Sequence, residues 1–123
     1  NAAAVEQLQR MLHPFGYFVV GVPVSDCLHL KSGVSQVAED TLLINPAWVD
    51  KSHFPGFEFI EVDPSEPSAA NALMVEGALI YPSAFPQTRQ RLEAVGRTIV
   101  PVEADELAKA EGGVTCCSLI FKT

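Results

Sequence analysis

The sequence predicts an α/β fold that uses one small unit twice: strand, strand, helix, strand. Three observations predict it. First, VAEDTLLINP (Val37 to Pro46) and MVEGALIYP (Met74 to Pro82) share a pattern: an apolar strand end, an acidic turn, and a second apolar strand closed by proline. Second, the turns Glu39-Asp40 and Glu76-Gly77 set the copies about 37 residues apart (76 minus 39), a spacing typical of structural repeats. Third, a helical candidate and then a further strand follow each copy.

Taken in order, residues 2 to 13 read as an amphipathic helix. Val5, Leu8, Met11 and Leu12 recur at helical spacing, Glu6, Gln7, Gln9 and Arg10 fill the other side, and Pro14 and Gly16 stop it. The run Tyr17 to Val24, YFVVGVPV, is continuously apolar and β-branched, which predicts a buried strand. After the first hairpin, PAWVD is a short helical candidate and FEFIEV (Phe57 to Val62) a strand. After the second, Pro86 to Val95 is a helix, with Phe85, Thr88, Leu92 and Val95 on one face, Pro86 in its first turn and Gly96 just past its end. Thr98 to Val102 is the next strand, Ala104 to Ala110 a short helix, and 113–121 a final strand. The units run from about 29 to 63 and from about 69 to 103, within one domain spanning 1–123.

Composition narrows the function classes. Hydrophobic residues make up 48% and charged residues 19%, enough for a core and unlike a disordered chain. The net charge is −7, and no cluster of Lys and Arg offers a track for phosphates, so nucleic acid is not an expected partner. No apolar run reaches the roughly 20 residues of a membrane span, and no signal peptide is visible. Three cysteines without framework spacing suit a reducing, cytoplasmic setting. A first residue of Asn rather than Met raises the expectation of a piece of something longer.

Two residue types carry candidate chemistry. Cys116 and Cys117 are adjacent, so on a strand their sulfurs would face opposite sides. A cysteine in an apolar strand is ordinarily a small core residue. Gly112 and Gly113 just before them would let backbone approach a ligand closely. His29, between Leu28 and Leu30, would serve as a proton carrier if it lay near a thiolate. His13 closes a helix and His53 lies in a loop. No CxxC or HxxxH spacing, phosphate-binding glycine motif or GxSxG occurs, so metal and nucleotide cofactors are not expected.

HLKSG (His29 to Gly33), SAAN (Ser68 to Asn71) and EGGVTCCSL (Glu111 to Leu119) occur in that order. Together they resemble the dimethylarginine dimethylaminohydrolase family of the guanidine-modifying amidinotransferase superfamily. The HLK form separates this branch from arginine deiminase relatives, which tend to carry HLD. The resemblance implies a partial α/β-propeller of the pentein type, with about two of five ββαβ blades. It implies Cys116 as nucleophile and His29 as general acid/base. It also implies that the backbone carbonyl of Ala110 meets the substrate's amino group. The strongly nucleophilic thiolate suits a resonance-stabilised, cationic guanidinium. The implied reaction converts N-methylated arginine to citrulline and methylamine or dimethylamine, without a metal. In the family, the carboxylates that grip the guanidinium and the arginines for the substrate carboxylate lie in the N-terminal half. The resemblance therefore implies a C-terminal portion, inactive alone, that associates with the missing half or with another copy. Cys117 is then expected to turn into the core. Two alternatives remain at this point: another guanidine-modifying enzyme (an arginine or agmatine deiminase or an amidinotransferase), or a non-catalytic pentein binding module.

Overall fold

Two hairpins organise the chain, and each adds a third strand in the same way. The structure is a computed structural model that describes residues 1–121. Helix α1 spans Ala2–Leu12 and a short helix α2 spans Leu30–Gly33. Strands β1 (Val34–Ala38), β2 (Thr41–Ile44) and β3 (Glu58–Glu61) form the first sheet, with β1 antiparallel and β3 parallel to β2. Strands β4 (Leu73–Val75), β5 (Ala78–Pro82) and β6 (Thr98–Val102) form the second with the same strand order and directions. Helix α3 (Pro86–Ala94) makes the crossover between β5 and β6, and α4 (Asp105–Lys109) follows.

Local chemistry explains the joints. Glu76 and Gly77 both have positive φ (49° and 83°), the geometry of a tight two-residue hairpin turn that twists with its strands. The first hairpin instead absorbs its turn with a register shift between Gln36 and Ala38. At the end of α3, Gly96 is left-handed at φ 79°, and the amides of Gly96 and Arg97 donate to the carbonyls of Glu93 and Leu92. At its start, both Glu66 carboxylate oxygens accept, from the Gln87 and Thr88 amides at 2.9 and 2.8 Å. That carboxylate supplies the cap that Phe85 cannot.

The main core lies between the sheets. Val37 and Leu43 from the first meet Leu79 and Tyr81 from the second, with Leu92 of α3. Alternation puts Leu42 and Ile44 on the opposite face of β2, where they pack with Val34, Val49 and Trp48. The first sheet is therefore buried on both faces. Its polar seam is Ser35, whose hydroxyl donates to the Ala70 carbonyl at 2.5 Å and accepts from the Ala72 amide at 3.0 Å. Ala69 and Ala70 are fully buried, and the Ala69 carbonyl accepts from the Tyr81 hydroxyl at 2.7 Å. The small residues of SAAN thus let the second unit approach the first.

Four expectations need correction. Tyr17 to Val24 is irregular and half or fully exposed, because no strand lies alongside it among the described residues. PAWVD forms a turn, with the Trp48 and Val49 amides donating to the Asn45 carbonyl, and leads to a single 3-10 turn at Lys51–His53. So the first unit crosses over without an α-helix. The segment 113–121 is not a strand: Val114 to Cys117 form a turn closed from the Cys117 amide to the Gly113 carbonyl at 3.1 Å. Its apolar residues Leu119, Ile120 and Phe121 are exposed. Finally, Val95 is 54% exposed, beyond the buried face that Thr88 and Leu92 define.

Candidate active site

A cavity of about 360 Å³ opens where the loop before β1 meets the loop after α4. Asp26, Cys27 and Ser32 line it from the first loop, Ser68 and Asn71 from the connection between the sheets, and Glu111, Gly113 and Cys116 from the second. Asp105 of α4 also faces it, and Trp48 and Phe85 supply apolar surface. Its charged lining among the described residues is carboxylate: Asp26, Asp105 and Glu111, with no Lys or Arg. Such a cavity favours a cation.

Two of these carboxylates sit on strained backbone. Asp26 and Glu111 have left-handed φ values of 52° and 56°, a region that costs a side-chain-bearing residue energy. For Glu111 the cause is visible. It sits just past the cap of α4, where its amide donates to Ala108 and the Gly112 amide to Leu107. Glycine ordinarily fills that position. Here the glycine comes one residue later, and a carboxylate takes the strained place.

Cys116 lies on the turn that follows and is exposed. Cys117 is exposed as well, which corrects its expected burial. A turn, unlike a strand, does not send adjacent side chains to opposite faces, so alternation could not assign it. Cys27 is the third thiol. Burial, aided by the charge of Asp26, pushes it up, and its Sγ donates to the His29 carbonyl at 3.5 Å. It is thus held as the neutral thiol, a poor nucleophile.

His29 caps the start of α2 with extended backbone, and its carbonyl also accepts from the Ser32 amide at 2.9 Å. Its neighbours Leu28 and Ser32 reach the cavity, but the imidazole is exposed and does not line it. Gly33 is needed for packing: a Cβ there would lie 2.6 Å from Val49 Cγ2. Ala110 is the cap residue of α4, directly before Glu111. Sequence and structure therefore bring Cys116 to the cavity with the segments of His29 and Ala110 at its margin.

Gly112 and Gly113 both line the cavity, and at Gly113 the missing side chain has a second use. A Cβ on Gly113 would lie 2.7 to 2.8 Å from three atoms of the Asn71 amide, so the missing side chain admits Asn71. Asn71 is 8% exposed and joins both loops. Its Nδ2 donates to the Lys31 carbonyl and to Thr115 Oγ1, both at 2.9 Å, and its Oδ1 accepts from the Thr115 amide at 3.1 Å.

No protein-family model matches the chain. A curated relative from Pseudomonas aeruginosa, N(G),N(G)-dimethylarginine dimethylaminohydrolase, is 33% identical over 121 residues, which cover 98% of this chain and 48% of the relative. The enzyme of that name from Streptomyces coelicolor is 37% identical over 97% of this chain and 45% of its own length. A solved structure of the Pseudomonas enzyme, a cysteine-to-serine mutant complexed with citrulline, superposes with a TM-score of 0.89 at 32% identity. That match covers 98% of this chain and 48% of the solved one. The chain is a homologue of the dimethylarginine dimethylaminohydrolases. It spans about half the length of the curated relatives it matches. The shared fold is mixed α/β with small sheets, as the resemblance implied.

Three acids line the cavity beyond the sequence candidates. Asp26 lies in no motif of the resemblance, and isolated acids such as Asp105 give no periodic signal. Only Glu111 carried a readable sign, an acid wedged between a helix end and two glycines. Asn71 stood in a quoted motif without a role. Among the described residues, no helix is long and apolar enough to cross a membrane.

Proposed function

We propose that this chain is the nucleophile-bearing, C-terminal part of a cysteine hydrolase that cleaves N-methylated arginine to citrulline and methylamine or dimethylamine. The observation that carries the reading is Cys116 in a cavity whose charged lining is carboxylate, in a homologue of enzymes bearing that activity in their name. The Pseudomonas relative, solved as a cysteine-to-serine mutant complexed with citrulline, supports citrulline as the product.

In this reading the Cys116 thiolate attacks the guanidinium carbon and forms a C–S bond. The tetrahedral adduct expels the methylated amine, which takes a proton from His29 as the C–N bond breaks. His29 then takes a proton from water, whose oxygen attacks the S-alkylthiouronium carbon. Collapse breaks the C–S bond and returns the thiolate, and citrulline is released as the adduct's hydroxyl proton passes to the departed amine or to solvent. The carboxylates Asp26, Asp105 and Glu111 hold the cationic substrate, and the Ala110 carbonyl accepts from its amino group. His29 lies at the margin of the cavity in this chain, so the catalytic arrangement requires the loop from Asp26 to Leu30 to close inward. We assign that closure, and further carboxylates, to the half of the relatives that this chain does not span. The two sheets are then two blades of a five-bladed propeller, a cytoplasmic enzyme completed by that half or by self-association.

Labelling with a haloacetamidine, read by peptide mass, tests the site. Modification concentrated on Cys116 over Cys117 and Cys27 is expected, and equal modification of Cys116 and Cys117 would refute the assignment. Citrulline formation tests the incompleteness. The purified 123-residue chain should release none from methylated arginine, and steady release abolished by Cys116→Ser would overturn the partial-enzyme reading.

A further inference from the structure

The network around Asn71 has a direction. The Lys31 carbonyl can only accept and the Thr115 amide can only donate, so together they fix which end of the Asn71 side chain is nitrogen. With that orientation fixed, Nδ2 donates to Thr115 Oγ1 at 2.9 Å. The threonine oxygen is thereby an acceptor, and its own hydrogen is free to point elsewhere. The sulfur of Cys116 lies 3.8 Å from that oxygen. Asn71 is more than nine-tenths buried, and Gly113 has no side chain to displace it.

We propose that Asn71 and Thr115 form an oriented hydrogen-bond relay, Asn71 Nδ2 to Thr115 Oγ1 to Cys116 Sγ, that holds the nucleophilic sulfur in place and presents it with a hydroxyl donor. Asn71 is a positioning residue here and Thr115 the group in contact with the reacting atom. The inference rests on Cys116 as the nucleophile. Its physical basis is that a donor already aimed at the sulfur favours the anion without reorganising when charge develops. Each link polarises the next. The relay also explains why one residue ties down both loops: the Lys31 carbonyl lies two residues beyond His29, so the amide that orients the donor to Cys116 also anchors the histidine segment.

The other ionisable groups facing the cavity with Cys116 are Asp26 and Cys27 from the loop before α2, Asp105 from α4, and Glu111 after it, with Cys117 adjacent in the chain. All of them persist in the variants below, so their fields are common to every comparison.

The test is the pH dependence of Cys116 alkylation by iodoacetamide in the full chain, with peptide fragmentation separating Cys116 from Cys117. Thr115→Val keeps the branched shape and removes the donor. It should move the Cys116 midpoint up by about one pH unit, which is about tenfold slower alkylation at a pH below both midpoints. Thr115→Ser should restore the original midpoint, and that of Cys117 should stay put throughout. Ser118→Ala, which loses the 2.6 Å bond to the Val114 carbonyl and loosens the turn, should leave the Cys116 midpoint alone. Asn71→Leu should raise the midpoint by itself but add little in the Thr115→Val background. An unchanged midpoint in Thr115→Val, or an equal rise in Ser118→Ala, overturns the relay. Additive shifts from Asn71 and Thr115 remove Asn71 from it. Should Asn71→Leu fail to fold, the Thr115 pair still decides the sulfur contact and Asn71→Asp replaces it in the cycle. Alkylation needs no turnover. A shifted midpoint beside steady citrulline release by the purified chain therefore sinks the partial-enzyme reading alone, and haloacetamidine labelling concentrated on Cys116 without a midpoint shift in Thr115→Val sinks the relay alone.

Discussion

Gly113 and Asn71 occupy each other's space: a Cβ built on the glycine would lie 2.7 Å from Asn71 Cγ and 2.8 Å from its Nδ2 and Oδ1. None of those atoms is the free end of a flexible chain, because the amide is bonded to the Lys31 carbonyl and to Thr115. Gly113→Ala must therefore push the amide out of its bonds or lift the Cys116 turn. Overpacking of this kind costs about 1 to 3 kcal/mol. Urea unfolding should show a lowered midpoint, and iodoacetamide should react with Cys116 and Cys117 at altered relative rates. A variant as stable as the parent, with an unchanged reactivity ratio, would show that the turn has slack that this geometry denies it.

Glu111 offers the reverse experiment. Its left-handed backbone, φ 56°, costs a side-chain-bearing residue about 1 to 2 kcal/mol relative to the ordinary helical region. Glycine avoids that strain but gives back part of it in unfolded-chain entropy. Glu111→Gly should thus raise stability by up to about 1 kcal/mol while removing one carboxylate from the cavity. The expected pair of results is a higher urea midpoint and weaker binding of an arginine-like cation by calorimetry. A destabilised Glu111→Gly would mean that the carboxylate itself holds the structure together.

How much of this was legible from residues alone differs between the fold and the site. Both hairpins, α3 and β6 could be read because their signals are local: alternation, an acidic or glycine turn, proline at the helix start and Gly96 at its end. Tyr17 to Val24 and the segment 113–121 misled for one shared reason. An apolar run states that a segment prefers burial, whereas a strand also needs a neighbour to take its hydrogen bonds. Neither segment has one among the described residues. At the site, Cys116 was legible through its motif, but the acids around it were not. Asp26 and Asp105 are 79 residues apart (105 minus 26), and they meet only because the second unit packs on the first. The bridging role of Asn71 was hidden for the same reason, since Lys31 and Thr115 lie 40 and 44 residues away from it.

Asp63 makes acid sensitivity predictable. Hydrogen bonds from the Ser65 hydroxyl (2.7 Å) and amide (3.0 Å), with the Arg91 guanidinium at 2.7 Å, hold its carboxyl below the ordinary carboxylate range. A depressed folded value means that the stabilisation is complete above the unfolded value, about 3.9, and is lost as pH falls through the folded one. Arg91 reaches from α3 to the Glu61 and Val62 carbonyls as well, so the carboxylate steadies the crossover against β3. Urea midpoints measured from about pH 6 down to about pH 2 should fall less steeply for Asp63→Asn than for the parent. Parallel curves would show that Asp63 titrates alike in folded and unfolded chains.

The segment Tyr17 to Val24 yields the last prediction, and it concerns motion. In place of a strand neighbour it has one side chain: Gln9 Nε2 donates to the Tyr17 carbonyl at 3.2 Å, and Gln9 Oε1 accepts from the Val19 amide at 2.6 Å. That amide mimics one rung of a ladder and stops there. Farther along, Val22 and Val24 touch the smaller core cluster, and the Ser25 amide donates to the Trp48 carbonyl at 3.0 Å. Among the described residues, the segment's amides are therefore bonded at Tyr17, Val19 and Ser25 and lack partners between Val19 and Ser25, where Val22 and Val24 hold it by packing alone. Backbone groups without partners exchange their hydrogens quickly, whereas those in a buried central strand wait for larger openings. Hydrogen exchange of the 123-residue chain should show Val20 and Gly21 nearly unprotected, Val19 and Ser25 moderately protected, and Leu43 of β2 slow. Gln9→Ala should release Val19 while leaving Leu43 unchanged. If the half of the relatives that this chain does not span supplies a strand here, adding a polypeptide equivalent to it should slow exchange at Val20 and Gly21. Exchange at those two residues that is already slow in the isolated chain would mean that they have found a ladder partner, such as a second copy.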